Sequence, residues 1–206
     1  MLTVGNSAAV VEELLGNGLL PCPGCGGRLG GWGHAARRPV FTAGRVPVAV
    51  RPRRARCGSC GVTHVLLPAW LLSRRCDGTL VIGDMLARAA RGQGFRSIAT
   101  VSGVPEGTVR DRLRRFRGSA GRVREFFTRL AGVLAADPVP PDPAGSPLGD
   151  AVVAVAAAGA AAAGRWPGVL AVSGWELAAV LTAGSLLSPS VRFARARGDV
   201  LASVPA

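Results

Sequence analysis

From Thr79 onward the apolar residues recur with helical period. Ile82, Met85, Leu86, Ala89 and Ala90 fall at i, i+3, i+4, i+7 and i+8, and Gly92 closes the run, which predicts a helix at about 79–91. Val109, Leu113 and Phe116 make a second apolar stripe on a segment otherwise rich in arginine. Val123, Phe126, Phe127, Leu130, Val133 and Leu134 repeat the pattern and predict a helix at 120–135 that packs into a core, a dimer contact being the alternative. Upstream the pattern is different. Short β-branched pieces at Val40–Thr42 and Val46–Val50, broken by Pro39, Gly44, Pro47 and Pro52, predict short strands. The stretch from Leu66 to Arg75 reads as a short helical connector out of the last strand, with Trp70 packing between the two parts.

Beyond the helices, the prolines between Asp137 and Pro147 forbid helix and favour an extended spacer. An alanine-rich run at 151–163 and a second apolar stretch at Trp166–Leu187 follow. Neither is read as a membrane span: the first falls short of about 20 residues, and Glu176 interrupts the second. Small-residue helices packing on each other, or between subunits, are the simpler account. The expected fold class is α+β, a small β domain followed by an α-helical domain and a helical, alanine-rich C-terminal region. Its divisions are 1–20, 21–67, 68–136, 137–149 and 150–206.

Charge sharpens this picture. The chain has 206 residues, 49% of them hydrophobic, and a net charge of +13, with arginine as its only basic residue beside histidine. Between Arg28 and Arg129 stand 21 arginines against five acids, a local excess of 16 positive charges, whereas the remainder is slightly acidic. GC-rich codon usage accounts for arginine over lysine but not for the clustering. A neutral enzyme fits this balance poorly, and a polyanionic partner fits it well. With no lysine there is no lysine-bearing phosphate loop, and the scattered acids form no recognisable nuclease core, so no catalytic residue is expected. The amino terminus lacks the pattern of a secretory signal, which makes a reducing cytoplasm the expected compartment, with nucleoid association.

Four of the five cysteines form two pairs, Cys22-Pro-Gly-Cys25 and Cys57-Gly-Ser-Cys60, separated by 31 residues. Two thiolates three positions apart on a tight turn reach one tetrahedral ion, and two such turns complete its shell. Cys22, Cys25, Cys57 and Cys60 are therefore expected to hold one structural zinc ion in a zinc ribbon at 21–67. Two disulfides, or redox use of a Cys-x-x-Cys pair, are the alternatives. Arg28, Arg53, Arg54 and Arg56 would offset the charge of four thiolates. His34 and His64 are read as structural or phosphate-facing, and Cys76, beside Arg74 and Arg75, as incidental.

The segment from Gly94 to Arg117 resembles a bacterial helix-turn-helix: Ala99 at the close crossing of two helices, Gly103 at the turn, Val109 in the angle between them. The resemblance implies that the second helix enters the major groove of double-stranded DNA. Glu106, Thr108, Arg110, Asp111 and Arg114 would then meet base edges, and Arg96, Arg112, Arg115 and Arg117 phosphates. Pro105 departs from the pattern by offering no side-chain cap, which Glu106 offsets in part through the helix dipole. A helical hairpin with a solvated arginine face is the alternative.

Taken together, Cys22-Pro-Gly-Cys25-Gly-Gly27, Arg54-Ala-Arg-Cys57-Gly-Ser-Cys60-Gly-Val-Thr-His64-Val-Leu-Leu-Pro68, Ser97-Ile-Ala99 and Gly107-Thr-Val-Arg-Asp-Arg-Leu-Arg-Arg115 resemble an actinobacterial family of uncharacterised zinc-ribbon plus helix-turn-helix proteins. They also look like the amino-terminal DNA-recognition region of insertion-sequence transposases. The resemblance covers residues 20–118 and extends faintly into Trp175–Leu187. It implies DNA binding linked to transposition or transcription, with a transposase or integrase as a partner and room for a homodimer. The transposase catalytic domain has no counterpart here. A protein-interaction module and an inactive transposase remnant are the competing functions.

Overall fold

A computed structural model describes residues 1–137, 139–166 and 173–193. The parts of the C-terminal region at 167–172 and 194–206 lie outside the described residues.

The amino-terminal half is built on a four-stranded sheet. Strands β1 (Leu2–Val4), β2 (Leu29–His34), β5 (Arg53–Cys57) and β6 (Thr63–Pro68) lie in the order β1-β6-β5-β2. The β2–β5 and β5–β6 pairs are antiparallel, and β1 runs parallel to β6 with Leu2 opposite Leu66 and Val4 opposite Pro68. The first 20 residues, expected as a separate leading segment, are thus part of this sheet and its core. Helix α1 (Ala8–Gly16) starts at Ser7, whose hydroxyl accepts from the Val10 amide, and buries Val11 and Leu15. They join Val4, Leu20, Leu29, Ala55 and Leu66 in a small apolar core that also takes in Cys22 and Cys57.

The predicted β-branched pieces form a separate hairpin, β3 (Arg38–Phe41) and β4 (Pro47–Val50), joined through a single 3-10 turn at Ala43–Arg45. Val40 of this hairpin packs with Leu67 and Leu71, and Val50 and Trp70 close over them. Trp70, expected between the two parts, packs here with the hairpin and the connector. The connector itself is not helical. Between Pro68 and Thr79 the chain makes turns, with Arg74 in a left-handed conformation (φ 58) and Leu71 bridged to Gly78.

The second half is helical: α2 (Thr79–Ala90), α3 (Phe95–Ser102), α4 (Glu106–Arg117), α5 (Ala120–Leu134), α6 (Pro147–Arg165) and α7 (Gly174–Leu181). Their buried faces form one continuous core running from Leu72 to Leu187. The alanine-rich segment packs on the other helices, in line with the expected packing of small-residue helices. Along α6, Ala151, Ala154, Val155, Ala158 and Ala162 are buried in this core together with Val123, Phe127 and Leu130 of α5. Among the described residues α6 is the one helix long and apolar enough to cross a membrane, by length and composition, and this face of it is covered by protein. Glu176, which breaks the second apolar run, is buried. It completes a capping box with Ser173 and accepts from the Asn6 side chain at 2.8 Å, while Asn6 Oδ1 accepts from the Trp70 amide at 3.1 Å. One short polar chain therefore links the amino terminus, the connector and α7.

Candidate functional site

The two cysteine pairs sit on matching turns. The Gly26 amide donates to the Cys22 carbonyl at 2.8 Å, and the Gly61 amide to the Cys57 carbonyl at 3.1 Å. Gly26 and Gly61 adopt φ of 74° and 72°, the left-handed region in which a side chain is strained, so each turn closes because its last residue lacks a Cβ. Pairing of Leu29 with Cys57 across β2 and β5 holds the first turn against the second.

The four sulfur atoms lie within 4.8 Å of one another. A tetrahedral site with metal–sulfur bonds of about 2.3 Å has ligand atoms roughly 3.8 Å apart. Here the Cys22 and Cys60 sulfurs are 3.8 Å apart, and those of Cys25 and Cys57 are 3.5 Å apart. The donor set fits a thiolate-loving cation with no open position for substrate. Cys22 and Cys57 are buried, and Cys25 and Cys60 face solvent.

The thiols are strongly unequal. The Cys60 amide, working against desolvation and helped by the Ser59 amide, lowers the Cys57 thiol to about 6. At Cys25 the Gly27 amide favours the thiolate, but hydrogen bonding to Cys57 and Cys60, burial and Cys22 together push it up to about 12. Four negative sulfurs at this spacing repel one another, and a divalent cation among them removes that repulsion.

His64, of uncertain role in the sequence, is buried beside the cluster. Its Nε2 lies 3.4 Å from the Cys22 sulfur and its Nδ1 3.3 Å from the Met1 amine. Burial first, and the amine second, hold its pKa below the ordinary histidine value. Of the arginines expected to offset the thiolates, Arg56 donates to the Gly61 carbonyl at 3.2 Å, whereas Arg53 is committed to Glu12 at 2.5 Å and to the Gly33 carbonyl. Arg56 also lies over the half-exposed Trp32 ring, 4.8 Å from its centroid. The sequence reading missed this pair, because the glycines around Trp32 hide strand β2.

In the helical half, α3 and α4 form a two-helix unit with Gly103 between them at φ 67. Ala99 and Val109 are buried where the spacing requires, with Ile98, Leu113 and Phe116 beneath. Pro105 starts α4 without a side-chain cap. The outward residues are Glu106, Arg110, Arg114 and Arg117, with Thr108, Asp111 and Arg115 partly exposed. Arg96 of α3 is exposed and 3.9 Å from Glu106. Asp111 accepts from Arg114 at 2.7 Å and from Arg115 at 2.6 Å. The hydrogen bonds from Arg115 and then Arg114 hold its carboxyl below the ordinary value.

Arg112 corrects the sequence reading. Expected on phosphates, it is turned inward with its side chain 4% exposed and paired to Asp77, which is 1% exposed and also accepts from Arg45 at 2.7 Å. Its position one turn before Phe116 puts it at the edge of the apolar stripe, and the buried carboxylate of Asp77 draws it in. Charge counting alone could not separate it from its neighbours.

Comparison with protein families, with curated proteins and with solved structures finds no match to this chain.

Proposed function

We propose that the chain is a DNA-binding protein that reads duplex DNA through α4 and is stabilised by one zinc ion on Cys22, Cys25, Cys57 and Cys60. The observation that carries the reading is the outward face of α4. Arg110, Arg114 and Arg117 stand free of the core on a helix whose partner α3 is locked to it by Gly103, Ala99 and Val109. Arg110 and Arg114 can each pair with guanine through two hydrogen bonds, and Glu106 can accept from cytosine. Arg96, Arg115 and Arg117 flank this face and suit phosphates. The donor set supports zinc: four thiolates at this spacing would complete its tetrahedral shell, and its contribution would be to folding. A transposition-associated factor or a transcription regulator is the biological role this supports.

Fluorescence anisotropy with labelled duplex DNA tests it. Binding should weaken steeply with salt, with a log–log slope of about −0.9 for each phosphate contacted. Arg110→Ala with Arg114→Ala should lower affinity at least tenfold. Unchanged affinity in that variant, or no dependence on salt, refutes groove recognition. Selection from random duplexes would give the site and, from its symmetry, the number of copies bound.

A further inference from the structure

Trp32 is 50% exposed, the one aromatic ring among the large apolar side chains that face solvent in the described residues. It stands on β2, the edge strand of the sheet, between Gly31 and Gly33. Along β5, Ala55 and Cys57 turn into the core, so Arg54 and Arg56 emerge on the opposite face, where the Arg56 guanidinium meets the tryptophan ring. Arg56 is exposed, and its Nε donates to the Gly61 carbonyl. That bond fixes the guanidinium beside the ring and leaves both Nη groups without a partner among the described residues.

Two open clefts adjoin this pair. The first, of about 340 Å³, is lined by Trp32, Arg56, Gly30, Gly31, Gly58 and Gly61. The second, of about 380 Å³, shares Gly30, Arg56 and Gly58 with it and continues to the exposed Arg28. A Cβ on Gly30 would meet nothing within 4 Å, so no neighbour in the fold requires glycine there. Glycine inside a strand that packing does not explain marks a place where a ligand comes close to the backbone. The surrounding charge has one sign: between Glu13 and Asp77 the chain holds ten arginines and no acid. A second copy of the chain would bring like charges together on this face, whereas a polyanion would be drawn to it.

An exposed ring steadied by arginine, a glycine floor and unopposed positive charge suit an unpaired base and its flanking phosphates. In a duplex the faces of each base are covered by its neighbours, so such a ring selects single strands. The two clefts offer no hydroxyl or carboxylate side chain to a 2′-hydroxyl, which favours DNA over RNA. We propose that this face of the sheet binds single-stranded DNA, one base stacking on Trp32 and the adjoining phosphates held by Arg56 and Arg28. The surface is distinct from α4 and does not depend on the duplex-binding reading above.

The test is fluorescence anisotropy of the full-length protein on labelled oligodeoxythymidine, which forms no duplex, with the metal content of each variant checked. Trp32→Ala should weaken binding about 5- to 150-fold, the worth of one stacked base, at an unchanged salt slope, and Trp32→Phe should recover most of the loss. Arg28→Gln should make the log–log salt slope shallower by about 0.7, the share of one phosphate on a single strand. Arg110→Ala with Arg114→Ala should leave single-strand affinity as it is. Equal single-strand affinity of Trp32→Ala and wild type overturns the proposal. Loss of single-strand binding in the α4 double variant overturns it too, by placing the strand on α4. Tighter binding of the matching ribo-oligonucleotide overturns the choice of DNA. Failure of duplex binding leaves the Trp32 comparison intact, so the two readings can fail separately.

Discussion

Arg112 of α4 and Asp77 of the connector form a buried ion pair, and Asp77 holds Arg45, in the turn between β3 and β4, on its other oxygen. The pair ties α4 to the half that carries the four clustered cysteines. Removing one partner of a buried pair leaves an uncompensated charge and costs about 3–5 kcal/mol. Asp77→Ala strands two guanidinium groups and should lose stability in that range by urea denaturation. A loss below about 1 kcal/mol would mean that the two arginines are hydrated rather than buried.

Gly103 is constrained twice. Its φ of 67° suits glycine, and a Cβ there would stand 2.8 Å from Cγ of Arg45. Gly92, at φ 85, has open space around it. Gly92→Ala should therefore cost only the left-handed backbone penalty of about 1–2 kcal/mol, and Gly103→Ala more, since Arg45 must move as well. Equal losses would show that Arg45 yields freely.

These two glycines mark the limit of what the sequence carries. The helix at 79–91, the turn at Gly103 and the cysteine pairs were legible because period, spacing and residue type act locally. The contact between Gly103 and Arg45 spans the two halves and leaves no periodic trace. Pairing of β1 with β6 went unseen for the same reason: three residues at the amino terminus become a strand only because β6 presents its edge. For the alanine-rich segment the packing of small-residue helices was legible but the partner was not, because alanine has weak hydrophobic contrast and does not mark which face of α6 meets α5. Arg112 shows the converse. One arginine among many changed role through a single buried acid 35 positions away.

Metal removal should act on one half of the molecule. Cys22 and Cys57 belong to the small amino-terminal core, whereas the helical core from Leu72 to Leu187 includes no cysteine among the described residues. Chelation should abolish hydrogen-exchange protection of β2 and β5 and leave that of α5 and α6. His64, 3.4 Å from the Cys22 sulfur, orients a ligand, and losing such a partner typically weakens metal binding about 10–100-fold. His64→Phe should show that drop in chelator competition. Unchanged retention would make the contact one of packing alone.

Asp111 gives a pH-dependent signature. Its folded pKa lies below the ordinary 3.8, so the unfolded chain takes up a proton more readily. The stability it contributes is complete above 3.8 and fades as pH falls through the folded value. The pairs are partly exposed and worth about 0.3–0.5 kcal/mol each. Asp111→Asn should thus be slightly less stable at neutral pH and match wild type in strong acid. On duplex DNA the same change releases Arg114 and Arg115, so non-specific affinity should rise several-fold at low salt, with a steeper salt slope. Weaker binding instead would place the carboxylate itself on a base.

The close packing of α6 and α7 supplies the last expectation. A Cβ on Gly159 would lie 2.7 Å from Cα of Gly174, so the two backbones touch where the two glycines meet. Gly164, on the same helix, has nothing within 4 Å of a Cβ. Alanine is the better helix former by about 1 kcal/mol. Gly164→Ala should therefore stabilise the protein or leave it unchanged, while Gly159→Ala must separate the helices and should cost about 1–3 kcal/mol. Thermal unfolding of the two variants decides it. If both substitutions stabilise, α6 is not held against α7, and its buried alanine face must find another cover. If only Gly159→Ala destabilises, the alanine-rich helix is a structural part of the helical core and seats α7, whose Trp175 meets Phe116 of α4 edge-on at 6.5 Å.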